Sequence, residues 1–108
     1  MFAACLSERP RPSPPVLSVT LDQTEVTSPD TLRGTVRAED LDGIDSVWVT
    51  LDTERAGEDG FFRTVVNATF RFQVPVGLPP STVLPVRFEA RDIAGFSSTF
   101  DTLVTVVP

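Results

Sequence analysis

Histidine is absent from this chain of 108 residues, and with it the commonest acid–base catalyst and metal ligand of proteins. There is one cysteine, Cys5. An internal disulfide is therefore excluded, and so is a zinc site of the Cys/His type. No apolar run approaches the roughly 18 residues that a membrane-spanning helix needs. No stretch carries the apolar period of about 3.6 residues that marks an amphipathic helix. Positive charge is scarce: 9 basic residues face 15 acidic ones, for a net charge of −6. Nucleic acid, whose phosphates need a basic patch, is not an expected partner. Adsorption to an anionic membrane surface by charge alone is not expected either. The acidity is read as solubility.

What remains is the composition of one small β domain. The length suits a single domain with a feasible core, 41% of the residues being hydrophobic. Ten prolines and six glycines imply many turns, and Val and Thr dominate the apolar segments, as strands prefer. From Val16 onward the pattern has a period of two. Leu17, Val19 and Leu21 alternate with polar residues. After the turn Ser28-Pro29-Asp30, a strand over Thr31 to Glu39 puts Leu32, Gly34, Val36 and Ala38 on one face. Asp40-Leu41-Asp42-Gly43 is a turn. Ile44 to Asp52 is a strand with Val47, Val49 and Leu51 inward and Trp48 outward.

Thr53 to Gly60, polar and charged, is expected to be a loop, and Phe61 to Val66 a short edge strand. Asn67 to Val74 places Phe70, Phe72 and Val74 inward, and Pro75 to Pro80 is a loop. Val83 to Arg91 turns Leu84, Val86, Phe88 and Ala90 to one face, and Phe100 to Val107 closes the sheet. About seven short strands with turn signals every 8 to 12 residues or so predict a single all-β domain, an antiparallel two-sheet sandwich over residues 16–108.

Three blocks carry a family resemblance. Gly43-Ile44-Asp45-Ser46-Val47-Trp48-Val49-Thr50-Leu51-Asp52 resembles the third strand of bacterial immunoglobulin-like domains of the Big and fibronectin-III-like kind. Ala68 to Val76 resembles the strand that enters their long loop. Phe88 to Gly95, with its Asp92-Ile93-Ala94-Gly95 turn and the strand after it, is similar to their last hairpin. The Cys…Trp…Cys signature of antibody domains is absent. The resemblance implies an extracytoplasmic adhesion, spacer or docking module without enzyme activity.

The first fifteen residues read differently. Ala3-Ala4-Cys5 resembles the end of a bacterial lipoprotein signal, in which small residues precede an acylated cysteine. Two departures stand beside the match: Phe2 occupies a position where an aliphatic residue is commoner, and no charged or apolar signal region precedes it. Ser7 to Pro15 is a proline-rich segment, extended and without a core of its own. Residues 1–15 are thus read as a leader and tether with Cys5 as the lipid attachment. The competing reading is a free cysteine in a leader. Acyl chains on Cys5, at about 0.8 kcal/mol per buried CH₂, would hold so small a domain at a membrane.

Chemistry-bearing groups are few. Asp40, Asp42 and Asp45 gather at one turn, and Asp92 ends another strand. If these ends share a pole, the four carboxylates are calcium candidates; the competing reading is turn chemistry, in which Asp accepts backbone N–H bonds. No other cofactor is expected. Nucleophilic catalysis needs a base beside the hydroxyl or thiol, and no remaining carboxylate sits in a recognisable motif. Paired carboxylates for glycoside hydrolysis need a cleft that a lone small sandwich rarely builds. Asn67-Ala68-Thr69 matches a glycosylation sequon and is read as strand sequence.

Trp48, Phe61, Phe62 and Phe96 are the candidate contacts with a protein partner. Phe61 and Phe62 would face opposite sides of one strand, and Trp48 needs covering by the 53–60 segment or by a partner, which is the favoured cover. The expected function is a non-catalytic, lipid-anchored accessory subunit docked on a larger membrane complex, on the periplasmic side of a bacterial membrane. The alternative is a free surface module that binds carbohydrate or protein ligands.

Overall fold

Alternation of buried and exposed side chains shapes this protein. A computed structural model describes residues 13–28 and 30–108, so Cys5 and most of the 1–15 segment lie outside the described residues. Eight strands follow one another: β1 Val16–Leu21, β2 Glu25–Thr27, β3 Thr31–Glu39, β4 Ile44–Leu51, β5 Glu54–Asp59, β6 Val65–Gln73, β7 Val83–Asp92 and β8 Ser97–Val107. Among the described residues there is no helix. The strands form two sheets, one in the order β1-β3-β6 and one in the order β2-β8-β7-β4-β5. All neighbours are antiparallel except β2, which runs parallel to β8 with Val26 beside Val106.

The core lies between the sheets. Leu32, Val36 and Ala38 of β3 and Val66, Ala68, Phe70 and Phe72 of β6 are buried against Val47, Val49 and Leu51 of β4 and Leu84, Val86, Phe88 and Ala90 of β7. A row of rings ties the layers together. Phe70 of the smaller sheet meets Phe88 of the larger one edge to face at 5.3 Å. Phe72 and Phe100 extend the row with centroids 6.0 and 6.2 Å from Phe70 and Phe88, respectively. Such pairs add about 0.5–1.5 kcal/mol to the burial of their area.

Two expectations are corrected. The 53–60 segment is not a loop. β5 pairs with β4 along its whole length, from Leu51 opposite Glu54 to Ser46 opposite Asp59, after a turn in which Asp52 takes φ 54°. All its side chains are exposed, so the strand rests on its backbone ladder to β4 rather than on a buried face, and no apolar period betrays it. Phe61 and Phe62, in turn, are not strand residues. They form the corner at which the chain crosses from the larger sheet to the smaller, and β6 starts only at Val65.

The topology gathers three connections at one pole: Asp40–Gly43 between β3 and β4, Gly60–Thr64 between β5 and β6, and Ile93–Phe96 between β7 and β8. Backbone bonds stitch them. Asp40 N–H donates to Thr64 (2.9 Å), Ile44 N–H to Arg63 (2.8 Å), and Ile93 N–H to Gly43 (3.1 Å). The chain also reaches the sandwich here, with Val16 opposite Glu39.

Candidate functional site

Two turns of the same design meet at this pole. In Asp40-Leu41-Asp42-Gly43, the Gly43 N–H donates to the Asp40 carbonyl at 3.1 Å, and the Asp42 N–H donates to Asp40 Oδ1 at 2.8 Å. In Asp92-Ile93-Ala94-Gly95, the Gly95 N–H donates to the Asp92 carbonyl at 3.2 Å, and the Phe96 N–H donates to Asp92 Oδ1 at 2.8 Å. Each turn ends on a glycine with positive φ, 103° and 95°, where a side chain would be strained. Gly43 is confined further, since a Cβ there would lie 2.8 Å from the Phe62 carbonyl oxygen.

In both turns the first aspartate uses Oδ1 for the backbone and leaves Oδ2 buried without a hydrogen-bond partner. Asp92 is 1% exposed. Its position follows from β7, whose inward phase Leu84, Val86, Phe88, Ala90 continues to it. A carboxylate therefore stands where the pattern calls for an apolar residue, and that phase was the signal in the sequence for its burial. Asp42 completes a trio: one oxygen each of Asp40, Asp42 and Asp92 lies within 4.8 Å of the others. The Asp40 carboxyl is pushed above its ordinary range, first by burial and then by Asp92 and Asp42, against the pull of the Asp42 N–H. None of the ion pairs among the described residues involves these aspartates.

Asp45 does not join them. The ladder between β4 and β7 slips between Ile44 and Ser46, and Asp45, the residue passed over, is exposed, its Oδ2 accepting from Ser46 Oγ at 3.3 Å. A bulge reverses the expected aim of a side chain, and nothing in the local sequence announces it.

The corner beside these turns carries the aromatics. Gly60-Phe61-Phe62-Arg63 closes with the Arg63 N–H donating to Gly60 at 3.0 Å. Phe61 and Phe62 have φ 51° and 61°, and both rings are exposed, 68% and 70%. Positive φ at both central residues is the habit of Asn-Gly turns, and for residues with a Cβ it costs roughly 1–2 kcal/mol each. Phe96 is exposed at the tip of the last turn. Leu41 (85% exposed) and Ile93 (half exposed), in the second place of each Asp-x-x-Gly turn, join them. These two went unnoticed in the sequence, although an apolar residue inside a polar turn is a visible signal.

No family model matches the chain, and no curated protein matches it. Among solved structures, the PKD domain of an M14-like peptidase from a Thermoplasmatales archaeon superposes with a TM-score of 0.62 at 19% identity, covering 91% of this chain and all of that one. The fold is similar to that of a PKD domain.

Two further features of this PKD-like sandwich bear on function. Trp48 lies on the outer face of the larger sheet, half-buried, with its Nε1–H donating to Ser46 Oγ at 3.2 Å. The Arg55 guanidinium stacks 4.1 Å from its ring centroid, and the ring lies over Gly57, its cross-strand neighbour; a Cβ at Gly57 would overlap it. The cover is thus β5 of the same chain, and the half-buried ring also lines a cavity with Asp45, Ser46, Glu58 and Asp59. The second feature concerns hydroxyls. Those of Ser28, Thr82 and Ser98 donate to the carbonyls of Pro75, Pro79 and Pro15. No helix among the described residues is long and apolar enough to cross a membrane.

Proposed function

We propose that this chain is a non-catalytic, extracytoplasmic immunoglobulin-like module, tethered through an acylated Cys5 to the periplasmic face of a bacterial membrane, that docks on a larger membrane protein assembly with its acidic pole. The observation that carries this reading is the group of exposed apolar side chains, Leu41, Phe61, Phe62, Ile93 and Phe96, on three turns bonded to one another. Aromatic rings at interfaces are the usual energetic anchors. Rings held at positive φ, where glycine would be less strained, are outliers of the kind that cluster at functional positions.

The path of the chain supports the same orientation. Ser13, Pro14 and Val16 line one cavity with Asp40, Leu41 and Val65, so a tether from Cys5 would join the sandwich at this pole. Ten residues run from Leu6 to Pro15, and a chain of that length spans at most about 36 Å, which would limit the distance from the anchoring point to the pole. The structural neighbour is itself one domain of a larger protein, in keeping with a modular role.

The experiment is extraction in mild detergent followed by purification of the full chain. Wild type is expected in a stoichiometric complex, and Phe61→Ser with Phe62→Ser is expected as a folded monomer. A wild-type protein that emerges alone with an acylated Cys5 points to the free surface module instead. An unmodified Cys5 thiol in the intact protein overturns the tether.

A further inference from the structure

We propose that the two Asp-x-x-Gly turns hold a calcium ion between them, with carboxylate oxygens of Asp40, Asp42 and Asp92 as ligands. The observation that demands a ligand is the Asp92 side chain. It is almost wholly buried and its Oδ2 has no hydrogen-bond partner, as is also true of Asp40 Oδ2, and one carboxylate oxygen of each lies within 4.8 Å of the other's and of one from Asp42. A buried carboxylate is tolerated when a cation or donor faces it and is otherwise costly. Among the described residues no arginine forms an ion pair with these aspartates. A divalent ion would meet three negative charges with two positive ones.

The donor set selects the ion. All the candidate atoms are carboxylate oxygens, which suit hard cations. They lie within 4.8 Å of one another, a span that Ca–O distances of about 2.3–2.6 Å can bridge; magnesium dehydrates reluctantly and keeps water in preference to several carboxylates. The arrangement is also prepared in advance. Each Oδ1 is held by a backbone N–H within its own turn, and Ile93 N–H to Gly43 O locks one turn to the other. Asp42 lies on the exposed side, where water can complete the shell.

This inference rests on the turns alone and survives if the docking reading fails. Its test is thermal unfolding of the purified full chain in EDTA and then in calcium. For a site with a Kd of about 1 mM, as in extracellular calcium modules, about 10 mM Ca²⁺ raises the melting temperature by about 5 °C or more. Asp92→Asn should abolish the rise, and Asp42→Asn, at an exposed position, should shrink it while melting cooperatively in EDTA. A wild-type midpoint indifferent to calcium overturns the site, as a proton shared between Asp40 and Asp92 would predict. An equal rise in both variants overturns it too, and an equal rise with magnesium overturns the choice of ion.

Discussion

The middle of the sandwich and its acidic pole are made by the same strands under opposite rules. Between the sheets, apolar side chains are buried and rings from the two layers touch. At the pole, two carboxylate oxygens are buried without partners, two phenylalanines sit at positive φ, and large apolar side chains face outward. The first region is built for stability. The second departs from the same rules at several positions, each with its own local cost.

Substitutions should separate the two regions by magnitude and by sign. Phe88→Ala removes the ring that joins the layers and is expected to cost about 3–5 kcal/mol of the roughly 5–15 kcal/mol available to a domain. Denaturant unfolding measures this, and a loss below about 1 kcal/mol would mean that the row of rings is not the core. Gly57→Val should cost about 2 kcal/mol by overpacking against Trp48. Most of that cost should vanish in a Trp48→Ala background, a coupling that a double-mutant cycle reads directly. An additive result would separate Trp48 from β5.

At the pole the sign reverses. Phe62→Gly is expected to raise stability by up to about 1 kcal/mol, because glycine adopts positive φ without strain while losing more chain entropy on folding. A melting temperature that falls in this variant would show the ring to be a packing element. The smallest effect is expected on the outer face, where Arg87 Nε donates to Asp101 Oδ1 at 2.8 Å. The guanidinium lowers the Asp101 carboxyl, mainly through that bond, so any contribution exists only above the ordinary carboxylate range and disappears as the pH falls below it. Both groups are solvated, and Asp101→Asn should leave the midpoint unchanged in physiological salt.

The same division governs what could be read in the sequence. β3, β4, β6 and β7 were legible because one face of each is buried, and burial imposes a period of two. β5 has no buried face, so its strand state lives in hydrogen bonds to β4 that no composition encodes. β2 buries one side chain, Val26, too few to make a pattern. Phe61 and Phe62 have strand propensity, and the crossing between sheets overrode it. Of the four aspartates considered together, three converge because their turns end antiparallel strands at one pole. Asp45 was lost to a bulge that depends on the partner strand.

The all-exposed β5 has a further consequence. Among the described residues it is an edge of the larger sheet, and an edge strand's backbone groups could template a strand from a second copy, the usual route to aggregation. Its sequence is Glu54-Arg55-Ala56-Gly57-Glu58-Asp59. A second copy pairing there would strip water from charges on both faces of the strand at once. The composition that hid this strand from view in the sequence thus makes growth of the sheet costly.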